Sequence, residues 1–196
     1  MNLFTFLFIG NSGCGKGTQG ALLRKHLEEK YVDSPVYYME TGNGFRDFLA
    51  GHGHSNDLAR KIYEAGHRQP DFLAIWGWAH LMIESMTGKE HLIIDGAARS
   101  LVEGLALLTA MKFYGRNLIV VHLDVSREWS KKHLTSRARA DDIDMNKVER
   151  RLDWFEKDVA PVIDFFKTSP ECTFVSVNGE QTIEQVNSEM MEKLKI

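Results

Sequence analysis

The chain has 196 residues, 43% hydrophobic and 26% charged, which is enough for one domain with a buried core. Its 24 Lys+Arg against 27 Asp+Glu leave a formal charge of −3, which excludes the basic excess that a general nucleic-acid or membrane-surface binder relies on. Two distant cysteines, Cys14 and Cys172, exclude a disulfide framework and a CxxC zinc site, and point to a reducing, cytoplasmic setting.

The first element is an apolar run over 3–9. It is too short to span a membrane and lacks a signal peptide's basic flank, so it reads as a buried strand. Next comes Gly10-Asn11-Ser12-Gly13-Cys14-Gly15-Lys16-Gly17-Thr18. Glycines at this spacing let consecutive backbone N–H groups turn toward a phosphate. The helix expected over 16–30 adds its positive end, and Lys16 reaches the outer phosphates. Strand before and helix after make this a P-loop rather than a glycine-rich turn without a ligand. Gly17 takes the place usual for a hydroxyl residue, which arrives one later at Thr18.

A strand over 36–39 leads to helices over 42–49, 56–65 and 71–86, with Pro70 suited to a helix start. His52 and His54, alternating with glycines, read as a loop tip. Trp76 and Trp78 read as surface and core packing on different sides of one helix. A strand over 91–95 ends on Asp95, where an acid beside a P-loop would hold Mg²⁺, directly or through water. Helices over 101–113, 127–136 and 146–166 alternate with a strand over 117–124, and Pro161 predicts a kink or break in the last helix. A strand over 173–177 and a helix over 183–194 complete the pattern. The alternation predicts an α/β fold, a three-layer doubly wound five-stranded parallel sheet of the P-loop NTP hydrolase kind. Its ligands should lie outside the carboxyl ends of the strands.

These residues resemble the adenylate kinase family over nearly the whole chain. The run Gly13-Cys14-Gly15-Lys16-Gly17-Thr18 is similar to its P-loop, including the glycine after lysine. Thr41-Gly42-Asn43 with Arg46 resembles its monophosphate-binding turn, and Gly66-His67-Arg68-Gln69-Pro70-Asp71 has its Gly-x-x-x-Pro-Asp spacing. Asp95-Gly96-Ala97-Ala98-Arg99 resembles its Asp-Gly-Phe-Pro-Arg, and Arg137, Arg139 and Arg151 resemble the arginines of its lid. The resemblance implies transfer of the terminal phosphoryl group of ATP, with Mg²⁺ and without zinc, to a nucleoside monophosphate. On that reading Gly13–Thr18 and His133 hold ATP. Thr41, Gly42, Arg46, Gln69, Arg99 and Glu103 hold the monophosphate, and Thr18 and Asp95 hold the metal. Lys16, Arg99, Arg137, Arg139 and Arg151 act on the phosphates. Guanidiniums suit that work because they stay charged and grip phosphate oxygens in a fork. It further implies one kinase domain, a mobile monophosphate-binding segment over 40–72, a very short lid over 136–143 and a cytoplasmic monomer, with no nucleic-acid or membrane partner.

Four departures bear on the acceptor. Ala97-Ala98 replaces Phe-Pro and should loosen a wall of the site, and Asn43 stands where the family has an acid. His133 replaces an arginine that lies over the donor base; it either stacks there or lies in solvent. Glu103 replaces the glutamine that reads adenine. An ionised carboxylate only accepts hydrogen bonds, whereas an amide accepts and donates. Adenine N1 would then face a carboxylate, unless Glu103 points to solvent. AMP leads as acceptor by resemblance; GMP, CMP or a deoxynucleotide, and a non-catalytic nucleotide-binding protein on the same fold, are the alternatives. A GTPase-type switch is excluded, because its base-reading Asn-Lys-x-Asp pattern is missing.

Overall fold

The computed structural model describes residues 3–136 and 144–196. Five parallel strands, β1 (Thr5–Gly10), β2 (Val36–Glu40), β3 (His91–Asp95), β4 (Leu118–Asp124) and β5 (Cys172–Asn178), stand in the order β2-β3-β1-β4-β5. The central strand β1 is buried on both faces and pairs Thr5 with Leu92 on one side and with Leu118 on the other. Its alternate residues explain why the run is continuously apolar. Leu7 and Ile9 enter one core with Leu92, Ile94 and Val120, whereas Phe6 and Phe8 enter the other with Ile93, Val121 and Leu123.

The first core is covered by α4 (Asp71–Ser85), α5 (Leu101–Phe113) and α8 (Ala160–Thr168), through Trp78 and Met82, Leu107 and Met111, and Val162 and Phe166. The second is covered by α1 (Lys16–Lys30) and α9 (Ile183–Leu194), through Leu23, Leu27, Val186 and Met190. Helices on both faces of an all-parallel sheet are the architecture that the strand–helix alternation predicts. Between β2 and α4, helices α2 (Thr41–Ala50) and α3 (His54–Glu64) close a small separate core around Leu49, Ala59 and Leu73. Two further helices, α6 (Arg127–Ser136) and α7 (Met145–Trp154), meet through Leu134, Val148 and Leu152.

The expected ends shift by one or two residues, and His54 is the first residue of α3 rather than part of a loop tip. The long helix expected over 146–166 is divided. Phe155–Val159 forms a π-helical turn between α7 and α8. Pro161 cannot donate, and its ring crowds the carbonyl four residues back, that of Lys157; the wide turn lies at that place.

At the amino end of β3, away from the strand tips, Glu90 and Arg116 form an ion pair at 3.3 Å with side chains only 4% and 7% exposed. Backbone N–H groups of Thr87, Gly88 and Lys89 also point at the Glu90 carboxylate. Burial opposes its ionisation, but hydrogen bonds from Thr87 and the surrounding backbone hold Glu90 below the usual carboxylate range. Its contribution is therefore complete at neutral pH and disappears as the solution is acidified through the folded-state value. Glu90→Ala strands a buried guanidinium, and urea unfolding at pH 7 is expected to show a loss of about 3–5 kcal/mol. A loss below about 1 kcal/mol would mean that the pair is not a structural anchor.

Candidate active site

The carboxyl ends of the strands open into a cavity of about 480 Å³, a size ordinary for a small-molecule site. The P-loop forms its floor. Gly13 and Gly15 have φ of 83° and 94°, which a side chain rarely adopts, and Gly15 is the residue from which α1 starts. Lys16 Nζ donates to the carbonyls of Gly10 and Asn11, both at 2.9 Å, and so lies folded across the loop. Gly10, Ser12 and Lys16 line the cavity; Gly13, Cys14, Gly15, Gly17 and Thr18 do not, and Thr18 is exposed on the first turn of α1.

Asp95 ends β3, and its Oδ2 accepts from the Tyr38 hydroxyl at 3.1 Å. Burial, then the neighbouring Asp95 carboxylate, push the Tyr38 phenol far above its usual range, so it remains a donor. A side chain added at Gly17 would lie 3.8 Å from Asp95 Oδ2. The glycine after the lysine thus brings the first turn of α1, on which Thr18 follows, close to the carboxylate. Carboxylate and hydroxyl oxygens are the donors a hard cation such as Mg²⁺ takes, and the residues present fit it.

A second wall comes from α2 and the turn after β3. Thr41 Oγ1 donates to the Asp95 carbonyl at 3.1 Å. Arg46 donates to Asn43 Oδ1 and lies 3.5 Å from Glu40, so Asn43 orients the arginine where an acid was expected. Thr41, Gly42, Arg46 and Arg99 line the cavity with Lys16. Arg151 of α7 lines it too, whereas its neighbour Arg150 does not. Three of the five expected arginines therefore share one cavity with the lysine. Arg137 and Arg139, with most of the expected lid, lie outside the described residues.

Gln69 lines the cavity but spends its amide donor on the Ala59 carbonyl at 2.9 Å, and its Oε1 is buried with no hydrogen-bond partner among the described residues. His133 stands apart from the cavity. Its ring stacks on Trp129 of the same helix at 4.4 Å, and Nδ1 lies 3.0 Å from the Trp129 carbonyl. Its ring is thus partly buried against Trp129 rather than free in solvent.

Glu103 is 1% exposed, so it does not point to solvent. It lines the cavity on the first turn of α5, with Arg68 Nη1 at 3.3 Å from its Oε1. Burial pushes its carboxyl above the usual range, and the charges of Arg99 and Arg68 pull against that. Arg68 escaped the sequence reading. Its Nη1 also donates to Asp71 at 2.7 Å, and its Nε lies 3.3 Å from Asp158. Burial would lower the Arg68 pKa, but the hydrogen bond to Asp71 and the three nearby carboxylates raise it overall. The one sequence signal for it is a charged residue directly before Gln69-Pro70.

Trp78 was also missed as a site residue. It sits in the buried cluster that holds Ala97 and Ala98, lines the cavity, and keeps Nε1 buried with no hydrogen-bond partner among the described residues. The space that Ala97-Ala98 leaves open is therefore shared with a large indole.

A parallel sheet with a P-loop floor, a strand-tip aspartate and converging arginines defines the P-loop phosphotransferase type of α/β protein. No protein-family model matches the chain. It is 28% identical to adenylate kinase 1 of Nostoc sp. over 96% of this chain and 97% of that protein. It is 29% identical to the adenylate kinase of Haloarcula marismortui over 95% and 94%, and 26% identical to that of Flavobacterium psychrophilum over 97% of each. Curated adenylate kinases at 25–29% identity, covering nearly the whole chain, support the adenylate kinase family for it. Among the described residues no helix is long and apolar enough to cross a membrane.

Proposed function

We propose that the chain is a nucleoside monophosphate kinase that transfers the terminal phosphoryl group of ATP to AMP, yielding two molecules of ADP. An oxygen of the AMP phosphate forms the new P–O bond, and the bond from the γ-phosphorus to the β-bridging oxygen breaks. The observation that carries this reading is a single cavity running from Lys16 on the P-loop to Arg46, Arg99, Arg151 and Glu103. A site for one nucleotide has no use for a second cationic wall, whereas two phosphorylated substrates must be held together against their own repulsion. Lys16 leaves its loop carbonyls for the donor's phosphates, and Arg46 and Arg99 grip the acceptor phosphate. Arg151 neutralises charge on the transferred group. Asp95 and Thr18 would hold Mg²⁺ through oxygen, and the ion would neutralise charge on the donor phosphates. Segment 40–72 packs α2 and α3 through Leu49 and Ala59 onto Leu73 at the start of α4, apart from the two main cores, and would move about that contact over the acceptor. By the same resemblance the enzyme works as a cytoplasmic monomer.

A coupled assay for diphosphate formation, offering AMP, GMP, CMP and dAMP with MgATP, tests this directly. AMP is expected to give the highest kcat/KM. Bound ATP with no acceptor phosphorylated would leave a nucleotide-binding protein instead.

A further inference from the structure

The ends of the cavity differ in chemistry. Lys16, Arg46, Arg99 and Arg151 bring positive charge to the phosphate end. The rest of the lining mixes apolar side chains such as Phe45, Trp78 and Phe155 with His67, Gln69 and Lys147, and Glu103 with Arg68 is an ion pair set into it. Burying a carboxylate is costly unless it is paired. Arg68 supplies the pairing without being used up by it. Its Nη1 donates to Glu103 and Asp71, which accounts for two of its five N–H groups, and its Nε lies 3.3 Å from Asp158 in an ion pair. The two N–H groups on Nη2 have no partner among the described residues. The Glu103 carboxylate likewise commits Oε1 to Arg68 and has acceptor capacity left on its second oxygen.

We infer that Arg68 is a specificity-determining residue that reads the acceptor base together with Glu103, donating from Nη2 to adenine N1 while the carboxylate accepts from the N6 amino group. The inference rests on AMP being the acceptor. It removes the difficulty that a carboxylate alone poses, since the pair offers one acceptor beside one donor, as a single amide would. Guanine is served less well, because its N1–H and N2 amino group ask for both carboxylate oxygens, and Oε1 already faces Arg68. Arg68 is also fixed in place. Asp71 opens α4 and accepts from Ser100, the residue that caps α5, so the guanidinium is held to two helices and to the π-helical turn at once. A donor anchored by three carboxylates loses little freedom when a base arrives.

The test is calorimetric binding of AMP and of 1-deaza-AMP, which lacks only the N1 acceptor, to the full chain and to Arg68→Met. The full chain is expected to bind AMP about tenfold or more tightly than 1-deaza-AMP, in line with a hydrogen bond from a charged donor. R68M should lose AMP affinity to the level of 1-deaza-AMP, with 1-deaza-AMP and ATP affinities unchanged. A merely structural arginine would lower both monophosphates together, and that result overturns the inference, as does tighter binding of GMP than AMP. Because R68M leaves buried carboxylates unpaired, R68M/E103Q provides a second arm, in which a neutral amide can accept and donate by itself. It should recover the preference for AMP over 1-deaza-AMP, and equal binding of the two would again overturn the inference. The kinase reading stands or falls separately on ADP formation: N1 discrimination without turnover would sink that reading and leave the role of the pair in place.

Discussion

Lys16→Ala is expected to lower kcat/KM for ADP formation by about 10³-fold or more while the protein stays folded. The size follows from the task. Phosphoryl transfer asks the protein for position and charge, and removing one preorganised donor from such a site costs about 10²–10³ in rate. Lys16 is the cation on the P-loop itself, and it opens α1, whose positive end faces the same phosphates. The fold should tolerate the loss because Nζ bonds only groups of the loop itself, the Gly10 and Asn11 carbonyls and the Cys14 sulfur, beside an open cavity where water can replace it. Giving up such bonds costs about 1 kcal/mol. In a chain of this size that corresponds to a fall of about 2–4 °C in the unfolding midpoint. Circular dichroism melting beside the coupled assay separates the two effects. Near-normal turnover in the folded variant would mean that Lys16 does not meet the transferred phosphate.

The sheet and most helices were legible because burial on both faces writes itself into local sequence. The run through Phe6, Leu7, Phe8 and Ile9 has no polar face because alternate residues enter opposite cores. The P-loop was legible for a similar reason, since its chemistry is confined to neighbours in the chain. Glu103 was visible as a position but not as an environment. What decides its role is Arg68, 35 residues away, and no local pattern announces a partner brought in by tertiary packing. The same holds for the acceptor wall. Ala97-Ala98 suggested empty space, yet Trp78 shares that cluster from another helix. His133 shows the reverse case, because a local partner, Trp129 one turn back, already stacks on its ring.

Gly96→Ala carries the other large expected effect, and it acts through geometry rather than through lost chemistry. Gly96 follows Asp95 with φ of 93°, and an added Cβ would meet Thr41 Oγ1 at 2.7 Å and Arg99 Nη2 at 2.8 Å. Both neighbours are side-chain atoms, so the chain can accept the methyl group, but only by moving them. Thr41 must then rotate away from the Asp95 carbonyl that it now bonds, and the Arg99 guanidinium must swing off the turn. The backbone strain amounts to about 1–3 kcal/mol, which a domain of this size survives. Catalysis should suffer more, because displacing a phosphate-positioning group by roughly 1 Å costs about 10²-fold. The expected result is a folded protein with kcat/KM toward AMP reduced about 10²-fold and ATP affinity little changed. If the loss runs through Arg99, G96A and R99A should not add, and the double variant should be no slower than R99A alone. Fully additive losses, or a G96A variant with unimpaired turnover, would show that Arg99 does not need its present place beneath the turn.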